Sequence, residues 1–445
     1  MNINEESKKG KHTINAVAPF LPFKTREPER PKFKRRFIGV TGELARLINC
    51  KKLVEDFDME NYINKVVAEV ECEENEDEKY LKELINDYLI DKSGDIKVFH
   101  ANIFNYIQLT QGEESVGEKD IAKFLYAVLF LNNEKIKEVF KDINNKNMIS
   151  KLILSKLEGL KERNEVIKYK NKLEFISKIA NEDFNFMMKN REFFLNNFSN
   201  LLAYYYFYYI TQLSVKMNKK FKKEANYSKP DELYYLLDWE KPSSNRRSGI
   251  KGYKYIKSES KKLLINMNLI EHLNFLFGVK ECNFLEIKNI YDNATDEEKI
   301  NYLETIKEWI KVYRNVFLLD DDNLELEFNS LINSLEKSLT EKIGQATMSR
   351  YALYIEEIGK KYFLKRRGGT YGYMLNLTQE MLIILTAISI KKDKITLKSL
   401  FEEYEKRGVF LDQYSKELVI ELLVKLNLVD KKSDSGDAQY VKAIL

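Results

Sequence analysis

The 445-residue chain carries 73 basic and 69 acidic residues, a net charge of +4, and 44% of its residues are hydrophobic. Because it holds only 17 glycines and 6 prolines, we expect a mainly α-helical protein of two or three domains rather than an all-β fold. Its three cysteines lie far apart, which excludes a disulfide framework and a zinc-finger spacing. Its three histidines are isolated, so the sequence predicts no metal site.

The sequence also argues against export and membrane insertion. The N-terminus has no apolar signal core. The longest apolar run, 201–210, is ten residues long, about half the length that a membrane-spanning helix needs. We therefore expect a cytoplasmic protein without a membrane partner.

Residues 1–38 are expected to form a basic, proline-rich arm. Within residues 1–36 lie four of the six prolines, and ten Lys or Arg stand against four Glu. A segment of this composition cannot build a core of its own. Three interpretations stay open: a solvated tail, an arm whose "APFLPF" anchors it to a partner, and nucleic-acid contact through "KFKRR".

Residues 39–347 predict a multi-helical body. Two segments show the helical period most clearly. "DIAKFLYAVLFLNN" places on one face Ile121, Phe124, Leu125, Val128 and Leu129. "EEKINYLETIKEWIKVYRNVF" repeats Ile300, Leu303, Ile306, Ile310 and Tyr313. The run "LLAYYYFYYITQLSVKMNKKFKK" is apolar on all sides, which predicts a buried central helix; aromatic stacking on single-stranded bases is the alternative.

A basic loop is predicted at 237–257, in "LDWEKPSSNRRSGIKGYKYIK". Proline, serine and glycine mark it as a loop, and its cations alternate with aromatic residues. We consider four of them candidate DNA-phosphate ligands: Arg246, Arg247, Lys251 and Lys254. A solvated surface loop is the alternative.

A basic connecting helix and a glycine hinge are predicted at 348–370. The segment "KKYFLKRRGG" ends on Gly368 and Gly369, which suit a hinge. Its cations form a second candidate DNA-binding group: Lys361, Lys365, Arg366 and Arg367, beside Lys360.

Residues 371–445 predict a winged-helix domain with a small β-hairpin wing. The order is a helix capped by Thr378, a short strand, a helix stopped by Gly408, a third helix and a hairpin around "SDSGDA". Such domains often lay the third helix in the DNA major groove, with Lys416, Lys431 and Lys432 as candidate contacts. Glu417 and Glu421 on that helix repel phosphate, so duplex DNA binding and protein docking both stay open.

No catalytic or cofactor motif appears in the sequence. It lacks the glycine-rich loop that binds ATP phosphates, and it lacks the zinc-protease and serine-hydrolase patterns. Two acid-x-Lys pairs, Asp95 with Lys97 and Glu286 with Lys288, match the spelling of metal-dependent nucleases. With 69 acids and 73 bases such matches are common by chance, so we predict no catalytic residue; a nuclease with a diverged site is an alternative.

The segment "LFEEYEKRGVFLDQYSKELVIELLVKLNLVDKKSDSGDAQYVKAIL" resembles the DptG (DndG) family, and "LLDWEKPSSNRR" resembles it more loosely. The resemblance implies a subunit of a DNA phosphorothioation-dependent restriction system, a form of antiphage defence related to restriction-modification. It implies DptF- and DptH-type ATPase or translocase partners that supply the nucleotide chemistry. It carries no catalytic residue over to this chain. Two competing hypotheses stay open, a protein-interaction scaffold without DNA binding and a free-standing winged-helix regulator.

Overall fold

The computed structural model describes residues 20–54, 58–91, 94–141, 147–222, 224–243, 246–320, 322–431 and 439–445. Over these ranges the chain is mainly helical, as the composition predicted. Its α-helices are α1 (Ile38–Ile48), α2 (Met59–Val67), α3 (Asn75–Leu89), α4 (Glu114–Leu125), α5 (Glu134–Lys141), α6 (Met148–Ser155), α7 (Glu174–Met187), α8 (Arg191–Lys219), α9 (Arg247–Ile250), α10 (Tyr253–Ser260), α11 (Leu263–Leu276), α12 (Phe284–Asn293), α13 (Asp296–Val316), α14 (Phe328–Ile343), α15 (Gln345–Tyr362), α16 (Gln379–Ser389), α17 (Leu397–Lys406) and α18 (Gln413–Lys425).

The described strands form three small sheets. They are β1 (Lys51–Leu53), β2 (Leu160–Glu162), β3 (Leu236–Leu237), β4 (Leu364–Arg366), β5 (Tyr373–Leu377), β6 (Lys394–Thr396), β7 (Val429–Lys431) and β8 (Gln439–Lys442). β1 pairs with β2; β5 lies between β3 and β4; β8 lies between β6 and β7. All pairs are antiparallel except β3 with β5.

The 29-residue helix α8 is the centre of the core. Every residue from Leu201 to Met217 is buried, so the prediction of a central core helix is confirmed and its aromatic rings are not open for base stacking. Several of its tyrosine hydroxyls bind partners distant in sequence. Tyr205 donates to the Asp183 carboxylate and Tyr208 to the Lys406 carbonyl. Buried tyrosine is tolerated where its hydroxyl finds such a partner.

The two amphipathic helices predicted in the body are present. In α4 and the π-helical turn that follows it (Tyr126–Phe130), all five predicted inward residues are buried. In α13, four of five are buried, whereas Ile300 is 51% exposed. Over the part of the chain described, none of the helices combines the length and apolar character that crossing a membrane requires.

The prediction of a separate arm is wrong for residues 20–38. Phe20, Leu21, Phe23 and Phe33 are buried in the main core. The charged residues between them pair with the body, as when Lys32 contacts Glu357 at 2.9 Å. The average composition of the segment does not predict this result, because it does not show that buried aromatic residues alternate with cations that pair with the body. Residues 1–19, including part of "APFLPF", lie outside the described residues.

The predicted glycine hinge is also wrong. Gly368 and Gly369 have φ angles of 75° and 50° and form the tight turn of the β4–β5 hairpin, where the Tyr371 N–H donates to the Gly368 carbonyl. Strand β5 also pairs with β3 of the body. The region after the turn is therefore joined to the body by a sheet rather than by a free connector.

The elements predicted within 371–445 are present. Thr378 caps α16 through the Met381 N–H, and Gly408 follows α17 with a φ of 81°. In α18, Val419 and Leu423 are buried, whereas Leu426, just after the end of the helix, is 39% exposed. The predicted turn "SDSGDA" lies outside the described residues.

Candidate nucleic-acid interface

The two basic segments predicted to bind DNA meet on one surface. Lys254, at the start of α10, donates to the Thr370 carbonyl in the β4–β5 turn at 3.1 Å. Lys257 of the same helix and Lys360 at the end of α15 both bind the Glu356 carboxylate, at 3.1 and 2.6 Å. Helix α10 therefore lies beside α15 and the hairpin, and the cations of both segments face the same solvent region.

We call Lys254, Lys257, Lys360 and Arg366 the hairpin patch. Arg366 is exposed and lies opposite Tyr373 across the hairpin, so both side chains point to one face of the sheet. The Lys360 ammonium lies 5.3 Å from the centre of the Tyr373 ring. Among the described residues, no carboxylate forms an ion pair with Lys254 or Arg366.

Glu356, the carboxylate that Lys257 and Lys360 share, is ionised at neutral pH. Partial burial acts to raise the pKa of Glu356, but hydrogen bonds from Lys360, Lys257 and Tyr253 outweigh it and hold this pKa at about 2. The four cations of the patch thus outnumber the carboxylates that act on them, Glu356 and Glu357. A surplus of positive charge on an exposed surface attracts the phosphates of nucleic acid.

Arg246 does not contribute a free cation to this surface. Its Nε donates to the Asp412 carboxylate at 2.7 Å, and its Nη2 donates to the Ser415 hydroxyl at 2.8 Å. The guanidinium also pairs with Glu240, whose side chain is fully buried. Arg246 therefore joins the 237–257 segment to the start of α18.

Arg367 and Lys365 are likewise engaged inside the molecule. Arg367 donates to the carbonyls of Leu237 and Glu240, at 2.7 and 2.9 Å, and to the Asn376 side chain at 2.6 Å. Burial lowers the pKa of its guanidinium. Lys365 contacts the Asp238 carboxylate at 2.8 Å. These donors hold the hairpin against β3.

Arg247, Lys251 and Lys361 lie outside the hairpin patch. Arg247 is exposed, and its guanidinium lies over the Tyr234 ring at 5.3 Å. Lys251 pairs with Glu232 at 2.9 Å. Lys361 extends from the end of α15 toward the Lys34 carbonyl, 3.5 Å away.

Of the C-terminal cations predicted to bind DNA, Lys416 has a partner within the protein. Lys416 pairs with Glu405 at 3.2 Å and covers the Phe401 ring. The outward face of α18 carries the exposed acids Glu417 and Glu421. Lys431 ends β7, where its backbone is paired in register with Gln439, and Lys432 lies outside the described residues.

The two candidate nuclease pairs have structural contacts. Glu286 completes the N-terminal capping box of α12 and pairs with Lys172 at 3.1 Å. Asp95 accepts from the Arg35 Nε at 2.9 Å. Within the described ranges, no three His, Cys, Asp or Glu side chains lie close enough together to hold a metal ion.

Sequence reasoning missed the partners that organise the hairpin patch. Glu356 lies four residues before Lys360 on α15, a spacing that predicts an ion pair on a helix, so this contact could have been found. The contact of Lys257 with the same carboxylate joins α10 to α15 and has no local signal. Comparisons with protein-family models and with curated proteins give no match to this chain.

Proposed function

We propose that this chain is a non-ATPase subunit of a DNA phosphorothioation-dependent restriction complex. In this proposal it contacts the DNA backbone and bridges DptF- and DptH-type ATPase or translocase partners, which restrict unmodified foreign DNA in the cytoplasm. The resemblance of the C-terminal sequence to the DptG family supports membership of this complex. The absence of an ATP-binding loop from the sequence agrees with an accessory role.

The observation that carries DNA contact is the hairpin patch. Two segments of the chain bring four cations to one surface, where two of them share the Glu356 carboxylate, and three of the four lie on helices that hold them in place. Such cations reach phosphates, which supply affinity and orientation without reading sequence. The proposed DNA ligands are therefore Lys254, Lys257, Lys360 and Arg366, and Arg246 and Arg367 are assigned to holding the fold.

We further propose that residues 371–445 are a winged-helix domain. The order α16, β6, α17, α18, β7, β8 supports this assignment, as does the antiparallel sheet in which β8 lies between β6 and β7. The acidic outer face of α18 argues against placing this helix in a DNA groove. We therefore assign DNA contact to the body and leave α18 free for another role.

A salt series of duplex binding tests the DNA half of the proposal. The variant K254Q/K257Q/K360Q/R366Q should bind a 30-base-pair duplex more weakly, and its slope of log affinity against log salt should fall by roughly three to four. The matched control is K79Q/K135Q/K151Q/K161Q, four exposed lysines on α3, α5, α6 and β2. Equal affinity and slope for both variants and the parent protein would refute DNA contact through the hairpin patch.

A protein-interaction scaffold is the second candidate function, and the outer face of α18 favours it. Tyr414 and Val424, 50% and 47% exposed, lie on the same side of this helix as its two exposed acids. Co-purification with DptF- and DptH-type subunits tests the role. If Y414A/V424A loses the partners while duplex binding by the parent protein is absent, the scaffold replaces the DNA-binding proposal.

A further inference from the structure

A tight turn at residues 33–36 has an unusual backbone. Phe33 and Arg36 have φ angles of 51° and 55°, in the left-handed region that side chains other than glycine seldom adopt. The turn is closed by the Arg36 N–H, which donates to the Phe33 carbonyl at 2.9 Å. Phe33 is 1% exposed and fixes the turn to the core.

The end of α15 supports the other side of this turn. The Tyr362 hydroxyl accepts from the Phe37 N–H at 2.7 Å. The Arg36 guanidinium lies 5.3 Å from the centre of the Tyr362 ring. Lys361 reaches the Lys34 carbonyl. The turn is therefore held in place by a buried ring on one side and by a helix end on the other.

Three exposed cations meet at this point, and we call Lys34, Arg36 and Lys361 the turn cluster. In the part of the chain that the structure describes, none of the three pairs with a carboxylate within 4 Å. The charge of the Glu380 carboxylate acts to raise the pKa of the Tyr362 hydroxyl. This carboxylate accepts a 2.9 Å hydrogen bond from the Asn200 side chain and forms no ion pair with the turn cluster. The other cations of the segment differ, since Lys32 and Arg35 pair with Glu357 and Asp95.

The Arg36 side chain contacts Tyr362, but among the described residues it pairs with no carboxylate. Glycine would adopt the same φ at lower cost, and the Arg36 side chain remains exposed to solvent. Strained non-glycine residues often mark functional sites. Arg36 keeps this conformation beside two lysines that form no ion pair with a carboxylate of the described residues. Together, these three side chains present hydrogen-bond donors to an external anion.

We propose that the turn cluster is a second phosphate-binding site, which holds the backbone of the duplex bound at the hairpin patch. Lys360 of the patch and Lys361 of the cluster are consecutive at the end of α15, so the two groups of cations adjoin. Bidentate Arg36 and the two ammonium groups suit a phosphodiester. This inference rests on the proposed function and extends the DNA contact across the N-terminal segment.

Arg36→Gly separates binding from folding. Removal of one phosphate contact should reduce the salt slope by roughly 0.9 and weaken duplex binding at 0.1 M salt by about eightfold. Because glycine relieves the strained φ, the unfolding midpoint should stay equal or rise. A purely structural role for Arg36 predicts the reverse, a lower midpoint with unchanged affinity for the folded protein. The control is Lys220→Gly, which removes a cation at a φ of 49° that pairs with Glu336 and should leave duplex affinity unchanged.

K34Q/K361Q tests the cluster without altering the strained position and should reduce the salt slope by roughly two. If both R36G and K34Q/K361Q bind the duplex as the parent protein does, the second site is refuted. In that case, a loss in the four-glutamine patch variant would still support the proposed function, whereas parental binding by all three variants would refute both. Titration with pyrophosphate distinguishes a small-anion site: if R36G loses pyrophosphate binding alone and keeps full duplex affinity, the DNA assignment is refuted.

Discussion

The ion pair between Arg407 and Asp183 should be the strongest single attachment of the C-terminal region to the body. Two parallel bonds join the groups, from Nε to Oδ2 at 2.7 Å and from Nη2 to Oδ1 at 2.6 Å. Both side chains are fully buried. Arg407 also pairs with Glu403, and the Tyr205 hydroxyl donates to the same Asp183 carboxylate. Asp183 also pairs with Lys391 at 3.2 Å, but breaking the two parallel bonds on one side deprives a buried charge of its closest partner.

Arg407→Met should therefore lower the free energy of unfolding by about 3–5 kcal/mol, and Asp183→Leu by a similar amount. The double variant removes both charges, so its loss should be smaller than the sum of the single losses by about 2 kcal/mol or more. Urea denaturation followed by far-UV circular dichroism measures the three values. Hydrogen exchange in α17 and α18 should rise first in the single variants, because these helices lie on either side of Arg407.

Lys311→Met is the matched control, because this lysine forms an exposed pair with Glu308 and should change stability by no more than about 0.5 kcal/mol. Two results would contradict the reasoning. One is an Arg407→Met midpoint equal to that of the control. The other is a double variant whose loss equals the sum of the single losses, since independent effects would mean that the two buried groups do not stabilise each other.

Three further predictions concern the regions around the hairpin patch and the C-terminal attachment. Because the pKa of Glu356 is held at about 2, below its ordinary 4.5, its ionised form stabilises the fold above about pH 4.5 and this contribution is lost as the pH falls toward 2. Glu356→Gln should flatten the urea midpoint over that window and tighten duplex binding several-fold, and an unchanged pH profile would contradict this account. Arg246→Ala should lower the free energy of unfolding, measured by urea denaturation, by about 3 kcal/mol, since it leaves the buried Glu240 without its ion pair. The folded variant should keep its duplex affinity; a loss of affinity without a loss of stability would show that Arg246 binds DNA. Gly408→Ala should lower the thermal midpoint, with a loss of about 2–4 kcal/mol, because a Cβ would lie 2.0 Å from the Tyr208 ring at a φ of 81°; an unchanged midpoint would contradict the packing.

The features that could be predicted from sequence have local causes. The burial of α8 follows from a run that is apolar on all sides. The Thr378 cap and the Gly408 stop depend on the conformations of single residues and on nearby backbone groups. The element order of the C-terminal region rests on the same kind of signal, because each helix and strand there has its own periodicity and its own punctuation.

The features that could not be predicted depend on residues distant in sequence. The burial of Phe20 and Phe33 is decided by surfaces of the body that composition does not describe. The sequence around Gly368 and Gly369 predicts a hinge because no local signal indicates β3, whose pairing with β5 joins the hairpin to the body. The partners of Arg246 lie up to 169 residues away, so no local pattern distinguishes this buried anchor from the exposed Arg366.

The different chemistry of arginine and lysine explains why some predicted DNA ligands are bound inside the protein and others are exposed at its surface. A guanidinium offers five donors in a fixed plane and suits several acceptors at once, and Arg246, Arg367 and Arg407 each serve two or more groups inside the protein. A lysine ammonium at the end of a flexible stem is more easily left at the surface. The net charge of +4 therefore says little about DNA binding, because arginines in a basic segment of the sequence can be bound to carboxylates and carbonyls inside the folded protein. Positive surface potential arises instead where acids are absent or outnumbered, at the hairpin patch and the turn cluster. Substitution of Arg246 or Arg367 would mostly measure folding, whereas the exposed Arg36 and Arg366, together with the lysines beside them, report on the affinity for phosphate.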